Sequence, residues 1–101
     1  MVIYSYEEKL HSLTCSFEGK LDTLSSEKLQ REVTKTVEKH RKPLRVVFDF
    51  ADVSFITSAF VRVCVTTARM TGAENFSIVN TNPLIKKTLK IAGLDQQLNV
   101  T

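Results

Sequence analysis

"LRVVFDFADVSFITSAFVRV", residues 44–63, decides the fold, because it joins a strand pattern to a helix pattern through an acidic junction. Its first seven residues pack Leu44, Val46, Val47, Phe48 and Phe50 into a short, nearly continuous apolar run, which predicts a central strand covered on both faces. The helix begins near Thr57 and Ser58 and runs on as "SAFVRVCVTTARMTG", with Gly72 just past its last turn, where glycine adopts a left-handed backbone without steric cost. The junction "DFADVSFITSAF" that joins the two carries Asp49, at the strand's end, and Asp52.

Upstream, "VIYSY" and "LTCSF" are rich in β-branched and aromatic residues and flank the polar "EEKLHS", so they predict two antiparallel strands joined by a short turn. The chain then turns at Gly19. From Ser25 or Ser26, either of which can cap a helix, Leu29, Val33 and Val37 repeat every four residues and predict an amphipathic helix ending near His40, before Pro43. Downstream, "NFSIVN" reads as a strand. "TNPLIKKTLKIAGL" reads as a helix with Thr81 or Asn82 as cap, Pro83 in the first turn, Gly93 as terminator and Leu94 folding back. A terminal "LNV" adds a short edge strand. The expected fold class is therefore α/β: one domain over residues 1–101, ordered β-β-α-β-α-β-α with an optional final strand. It has an N-terminal antiparallel hairpin, later parallel strands linked by right-handed crossovers, and helices packed on a mixed sheet.

Length and composition agree with that plan. A chain of 101 residues with 43% hydrophobic residues suits one compact soluble domain that folds without metals or disulfides. Cys15 and Cys64 fall in apolar runs and are too few for a disulfide framework, so both are expected as reduced core residues. No run approaches the roughly 20 apolar residues needed to span a bilayer, and the first ten residues lack the pattern of a signal peptide, so a cytoplasmic protein with no membrane insertion is expected. Net charge is +3, with the basic excess concentrated in "KTVEKHRKPLR". Lys35, Lys39 and Lys42 recur near one side of a helix with no interleaved aromatic residues, which favours a solvated face over direct nucleic-acid binding.

The common chemistries find little support. Gly19, Gly72 and Gly93 form no glycine-rich phosphate loop. His11 and His40 have no partner at metal-ligand spacing, so no metal or cofactor is expected, and they read as structural residues. No candidate base is placed beside Ser58 or Cys64, which argues against nucleophilic catalysis and against an enzyme. The strand-to-helix junction remains, since sites on open α/β sheets gather outside the carboxyl ends of strands. One of its hydroxyls can cap the helix, and Thr57 is the expected cap. A hydroxyl at a helix start is also a suitable phosphorylation site, because the added charge meets the helix dipole and free N–H groups.

At these residues the chain resembles the STAS domain family, found in anti-sigma factor antagonists, stressosome proteins and the cytoplasmic tails of sulfate transporters. "FEGKLD" looks like the family's early Gly-x-Leu-Asp segment, with Gly19, Leu21 and Asp22 in place; "VVFDFADVSFITSAFVRV" resembles its strand, acidic turn and switch helix. "NTNPLIKKTLKIAGLDQQLNV" is similar to its last helix, opened by Pro and closed by Gly-Leu-Asp. The resemblance implies an antagonist that binds an anti-sigma factor kinase, is released on phosphorylation of the helix-start serine, here Ser58 with Thr57 as alternative acceptor, and is reset by a serine phosphatase. It departs from the family in having Thr57 where Asp is common and Phe60 where Gly is common, although Thr57, Ser58, Ala59, Val61 and Arg62 approximate a sub-group reading Ser-Ser-Ala-Gly-Leu-Arg.

The implied partner-binding rim comprises Asp22, Thr23, Asp52, Ser54, Thr57, Ser58, Phe60 and Arg62, with Asp22 shaping its loop or touching the partner, Arg62 pairing with a carboxylate or a phosphate, and Asp49 a structural acid. Phe60 either fills the core or projects, and a projecting ring would suit a homodimer or a permanent contact. The alternative function is a non-cycling docking subunit of a lipid-transport ABC complex. A small-ligand or nucleotide sensor is a third reading, disfavoured by the missing glycine cradle.

Overall fold

The computed structural model describes residues 2–40 and 44–101. Lys42 and Pro43, which the sequence places at the end of the first helix, lie outside the described residues. The elements are β1 (Val2–Glu7), β2 (Ser12–Leu21), α1 (Thr23–Lys39), β3 (Arg45–Ile56), α2 (Ser58–Thr71), β4 (Phe76–Val79) and α3 (Pro83–Ile91), with one 3₁₀ turn at Ala73–Asn75. The order matches the expected one. The four strands form a single sheet in sequence order, β1 antiparallel to β2 and the β2–β3 and β3–β4 pairs parallel. The terminal segment contributes one parallel bridge, Val100 to Ile78, in place of a full edge strand.

Two expectations about the strands need correction. β3 is not covered on both faces: Val46, Phe48 and Phe50 are buried while Val47 and Asp49 between them are only half-buried. Thr14 and Ser16 on β2 and Ser77 and Val79 on β4 are likewise half-buried, so the helices seal one side of the sheet and leave the other partly open. The apolar run is continuous because Val47 sits on that open side between Thr14 and Ser77.

Nor does the chain turn at Gly19 or at Asp49–Asp52. β2 continues through Gly19 to Leu21, paired there with β3 alone. Gly19 is at φ +82 with nothing near a notional Cβ, so backbone conformation, not space, calls for glycine. Opposite it, β3 carries an extra residue twice, between Asp49 and Asp52 and between Val53 and Phe55. These bulges shift the buried phase from Phe50 to Val53 and then to Ile56. Asp49 stabilises the first of them: its Oδ1 accepts from Ala51 N–H at 3.0 Å and from Asn80 Nδ2 at 3.0 Å. It is a structural acid inside β3, not at the strand end where the sequence placed it.

The sealed side holds the core. Phe17, Phe48, Phe50, Phe60 and Phe76 form a ring cluster, with Phe17 edge-on to Phe48 at 4.9 Å and to Phe60 at 5.1 Å between centroids. Leu29, Val33 and Val37 of α1 and Ile85 and Leu89 of α3 complete it. Cys15 and Cys64 are free and buried. Burial pushes the Cys15 thiol up to about 12 and the Cys64 thiol up as well, so both are protonated and inert near neutrality.

Candidate docking site

The parallel strands β2 and β3 end side by side, at Leu21 and Ile56, and each feeds a helix directly. The starts of α1 and α2 are therefore neighbours on one rim of the molecule. The Thr57 N–H fixes their spacing by donating to Leu21 O at 3.1 Å.

Each helix start is satisfied differently. α1 is capped by Asp22, not by Ser25 or Ser26: Asp22 Oδ1 accepts from Ser25 N–H at 2.9 Å and from Ser25 Oγ at 2.8 Å. Ser26 Oγ donates to Asp22 O one turn back. These bonds hold the Asp22 carboxyl below its ordinary value of 3.8. α3 is capped by Asn82, whose Oδ1 accepts from Ile85 N–H at 2.8 Å while its Nδ2 donates to Val53 O and Ser54 O, tying α3 to the bulged end of β3. Among the described residues no side chain caps α2. Thr57 occupies the cap position, but its hydroxyl is half-buried and turned away, donating to Leu21 O at 3.1 Å.

Ser58, the first residue of α2, is exposed, and among the described residues its hydroxyl has no hydrogen-bond partner. The two adjacent hydroxyls thus part company, one fixed in the joint between strands and one presented to solvent. Thr23, Asp52 and Arg62 are exposed with it. Ser54 is exposed, with its Oγ donating to Gly19 O at 3.3 Å across the second bulge. Phe60 departs from the rim: at 0% exposure it lies within the ring cluster, so it presents no surface to a partner or to a second copy. Its place in the first turn of α2, two residues past Ser58, aims it at the sheet.

The structure adds residues that the sequence reading passed over. Leu24 is 86% exposed on the first turn of α1 and Leu84 is 59% exposed on the first turn of α3. Both were legible as leucines out of phase with their buried stripes, Leu29–Val33–Val37 and Ile85–Leu89. Phe55 is half-buried on β3, with the Lys20 ammonium 5.9 Å from its ring centroid. Between α1 and α2 runs a groove of about 390 Å³ bounded by Thr23, Gln30 and Arg31 on one wall and Ala59, Arg62 and Val63 on the other.

The histidines stay apart from this rim. His11 lies in the β1–β2 turn, and His40 stacks on Tyr6 with centroids 4.3 Å apart. Among the described residues no acidic, histidine or cysteine cluster could hold a metal ion, and no helix is long and apolar enough to cross a membrane.

A one-sided mixed sheet whose parallel strand ends lead into helix starts carrying an exposed serine and short polar side chains defines an α/β domain with an open strand-end rim. The chain belongs to the STAS domain family, whose family model matches residues 5–101. No curated protein matches the sequence. Among solved structures it is similar to an anti-sigma factor antagonist from Mycobacterium paratuberculosis, at 20% identity and a TM-score of 0.84 over 99% of this chain and 83% of that one. A candidate antagonist from Thermotoga maritima gives 16% identity and a TM-score of 0.85, covering 99% of this chain and 85% of that one. The Bacillus cell fate determinant SpoIIAA in its phosphorylated form gives 16% and 0.70, covering 100% and 91%. At these identities the likeness establishes the shared fold.

Proposed function

We propose that this domain is an anti-sigma factor antagonist that docks through its strand-end rim on an anti-sigma factor with serine kinase activity, and that phosphorylation of Ser58 ends the docking. The carrying observation is the divergence of the two hydroxyls: Ser58 is exposed and free, while Thr57 is committed to Leu21 O. Membership of the STAS family and a fold shared with antagonists, one of them solved in a phosphorylated form, support the reading. The domain then acts by binding rather than catalysis, in the cytoplasm, with a serine phosphatase resetting it.

Docking would place Leu24 and Leu84 as apolar anchors around the polar centre formed by Thr23, Asp52, Ser54, Ser58 and Arg62. A dianion at Ser58 would bring roughly −1.5 to −2 charges and a strong demand for solvent into that centre, which disfavours the contact. Asp22 and Thr57 would contribute by holding the rim's shape. Phe60 is buried, so it supplies no permanent apolar contact for the ABC-subunit alternative.

The test is incubation with ATP and soluble extract of the host, followed by peptide mass spectrometry of the wild type and the Ser58→Ala and Thr57→Ala variants. Phosphate on Ser58, retained in Thr57→Ala, is expected. Modification confined to Thr57, or none while an anti-sigma factor stays bound in the presence of ATP, would reject the switch.

A further inference from the structure

We infer that Arg62, together with Arg31 across the groove between α1 and α2, holds the phosphoryl group of phosphorylated Ser58 within the same chain. The inference rests on the reading of Ser58 as the modified residue. It adds that modification withdraws Arg62 from the docking rim at the moment it adds charge there.

The geometry begins with spacing. Ser58 and Arg62 are one turn apart on α2 and both exposed, and residues four apart on a helix are surface neighbours with roughly 5–6 Å between Cβ atoms. A phosphoserine and an arginine bridge that gap readily. Arg62 forms no salt bridge among the described residues, so its guanidinium has no competing carboxylate to leave. Arg31 is held only loosely, with Nη1 3.9 Å from Glu27 Oε1 and both side chains largely exposed. Both arginines border the same groove, whose α2 wall begins at Ala59, the residue next to Ser58.

The charges around the groove favour an anion with two guanidinium partners. Among the described residues Glu27 is the one carboxylate lining it; Asp22 at the start of α1 is engaged as a cap, and Asp52 on β3 and Lys20 on β2 lie outside the lining. A phosphate dianion competes well with Glu27 for Arg31, because guanidinium binds phosphate through paired, charge-assisted hydrogen bonds. The helix start contributes in the same direction. With the Thr57 hydroxyl turned toward Leu21, α2 lacks the side-chain acceptor that α1 and α3 possess, and a phosphoryl oxygen can fill that role.

The experiment uses the full chain with phosphoserine encoded at position 58, so that no kinase is needed, and follows the phosphorus NMR signal against pH. The comparison set is the folded wild type, Arg62→Gln, Arg31→Gln and the same chain in urea. Opposite charge nearby stabilises the dianion, so the folded wild type is expected to titrate about half a unit or more below the chain in urea. Arg62→Gln should abolish most of that shift and Arg31→Gln part of it. Both arginines are exposed, so the unphosphorylated variants should keep the wild-type melting temperature. A folded midpoint equal to that in urea, or a midpoint unchanged in either variant, overturns the inference. A chain that kinases leave unmodified at Ser58 would reject the proposed function and leave this titration to be judged by itself.

Discussion

Replacing Phe60 by alanine tests the assignment on which the rim depends. The ring is fully buried, with centroids 5.1, 5.9 and 6.2 Å from those of Phe17, Phe50 and Phe48. Truncating such a ring costs about 3–5 kcal/mol, from lost transfer energy and the cavity left behind. Alanine's better helix propensity returns about 0.5 kcal/mol, leaving a net loss of about 3–4 kcal/mol. In urea, with a slope of about 1.5 kcal/mol per molar for a domain of this size, the midpoint should fall by about 2 M. Phe60→Leu keeps most of the volume and should lose only about 1 kcal/mol. Urea unfolding followed by circular dichroism measures both. Partner affinity of the folded Phe60→Leu protein should match wild type, because the residue lies beneath the surface. A loss below about 1 kcal/mol for Phe60→Ala, in the range of ordinary surface changes, would refute the buried placement and return the ring to the docking surface.

Leu24→Asp and Leu84→Asp should leave the melting temperature nearly unchanged yet weaken partner binding about 10-fold or more each, since burying a leucine contributes about 1.5–3 kcal/mol; calorimetric titration reads this, and unaltered affinity would exclude the two as anchors. Asn82→Ala removes the cap of α3 and its two bonds to β3 and should cost about 2 kcal/mol in urea unfolding, while Asn82→Asp, which can cap but cannot donate to Val53 O and Ser54 O, should fall between. The Asp22 carboxyl is held below its ordinary value in the folded chain, so its contribution is fully present above that value and is lost as pH falls through the lower folded one. The Ser25 amide resonance should therefore stay constant from neutrality to about pH 5 and move only in stronger acid, whereas Asp22→Asn, which caps without titrating, should show no such step.

The order of elements was legible because each boundary is written locally. Gly72 and Gly93 end helices at positive φ, and Asn82 with Pro83 opens one. What the sequence could not show was made by strand pairing. β3 runs on to Ile56, where an acidic turn was expected, because β2 remains beside it and absorbs two bulges. Gly19 reads as a turn residue in isolation and becomes a strand residue once Val53 lies opposite. Asp22, Ser25 and Ser26 are all competent caps, and the choice among them depends on where β2 releases the chain. The site divides in the same way. The exposed helix start at Ser58 was legible from its place after the strand, whereas the diversion of Thr57 required Leu21 O to arrive from another strand, and the groove shared by Arg31 and Arg62 required α1 to pack along α2. The orientation of Phe60 is set by helix phase and the rings below it.

The C-terminal residues have a consequence for solubility. Ile78 on β4 donates to Asn99 O at 3.3 Å and accepts from Thr101 N–H at 2.9 Å, and Asn99 Nδ2 donates to Ala73 O and Phe76 O. Asn99, Val100 and Thr101 thus act as a stopper on the free margin of the sheet. A chain clipped after Leu98 would keep its rim and its serine while baring the main-chain groups of β4 to any passing strand. Such a margin is a template for sheet-to-sheet stacking, so a proteolytic nick there would produce fibrillar material from an otherwise intact fold.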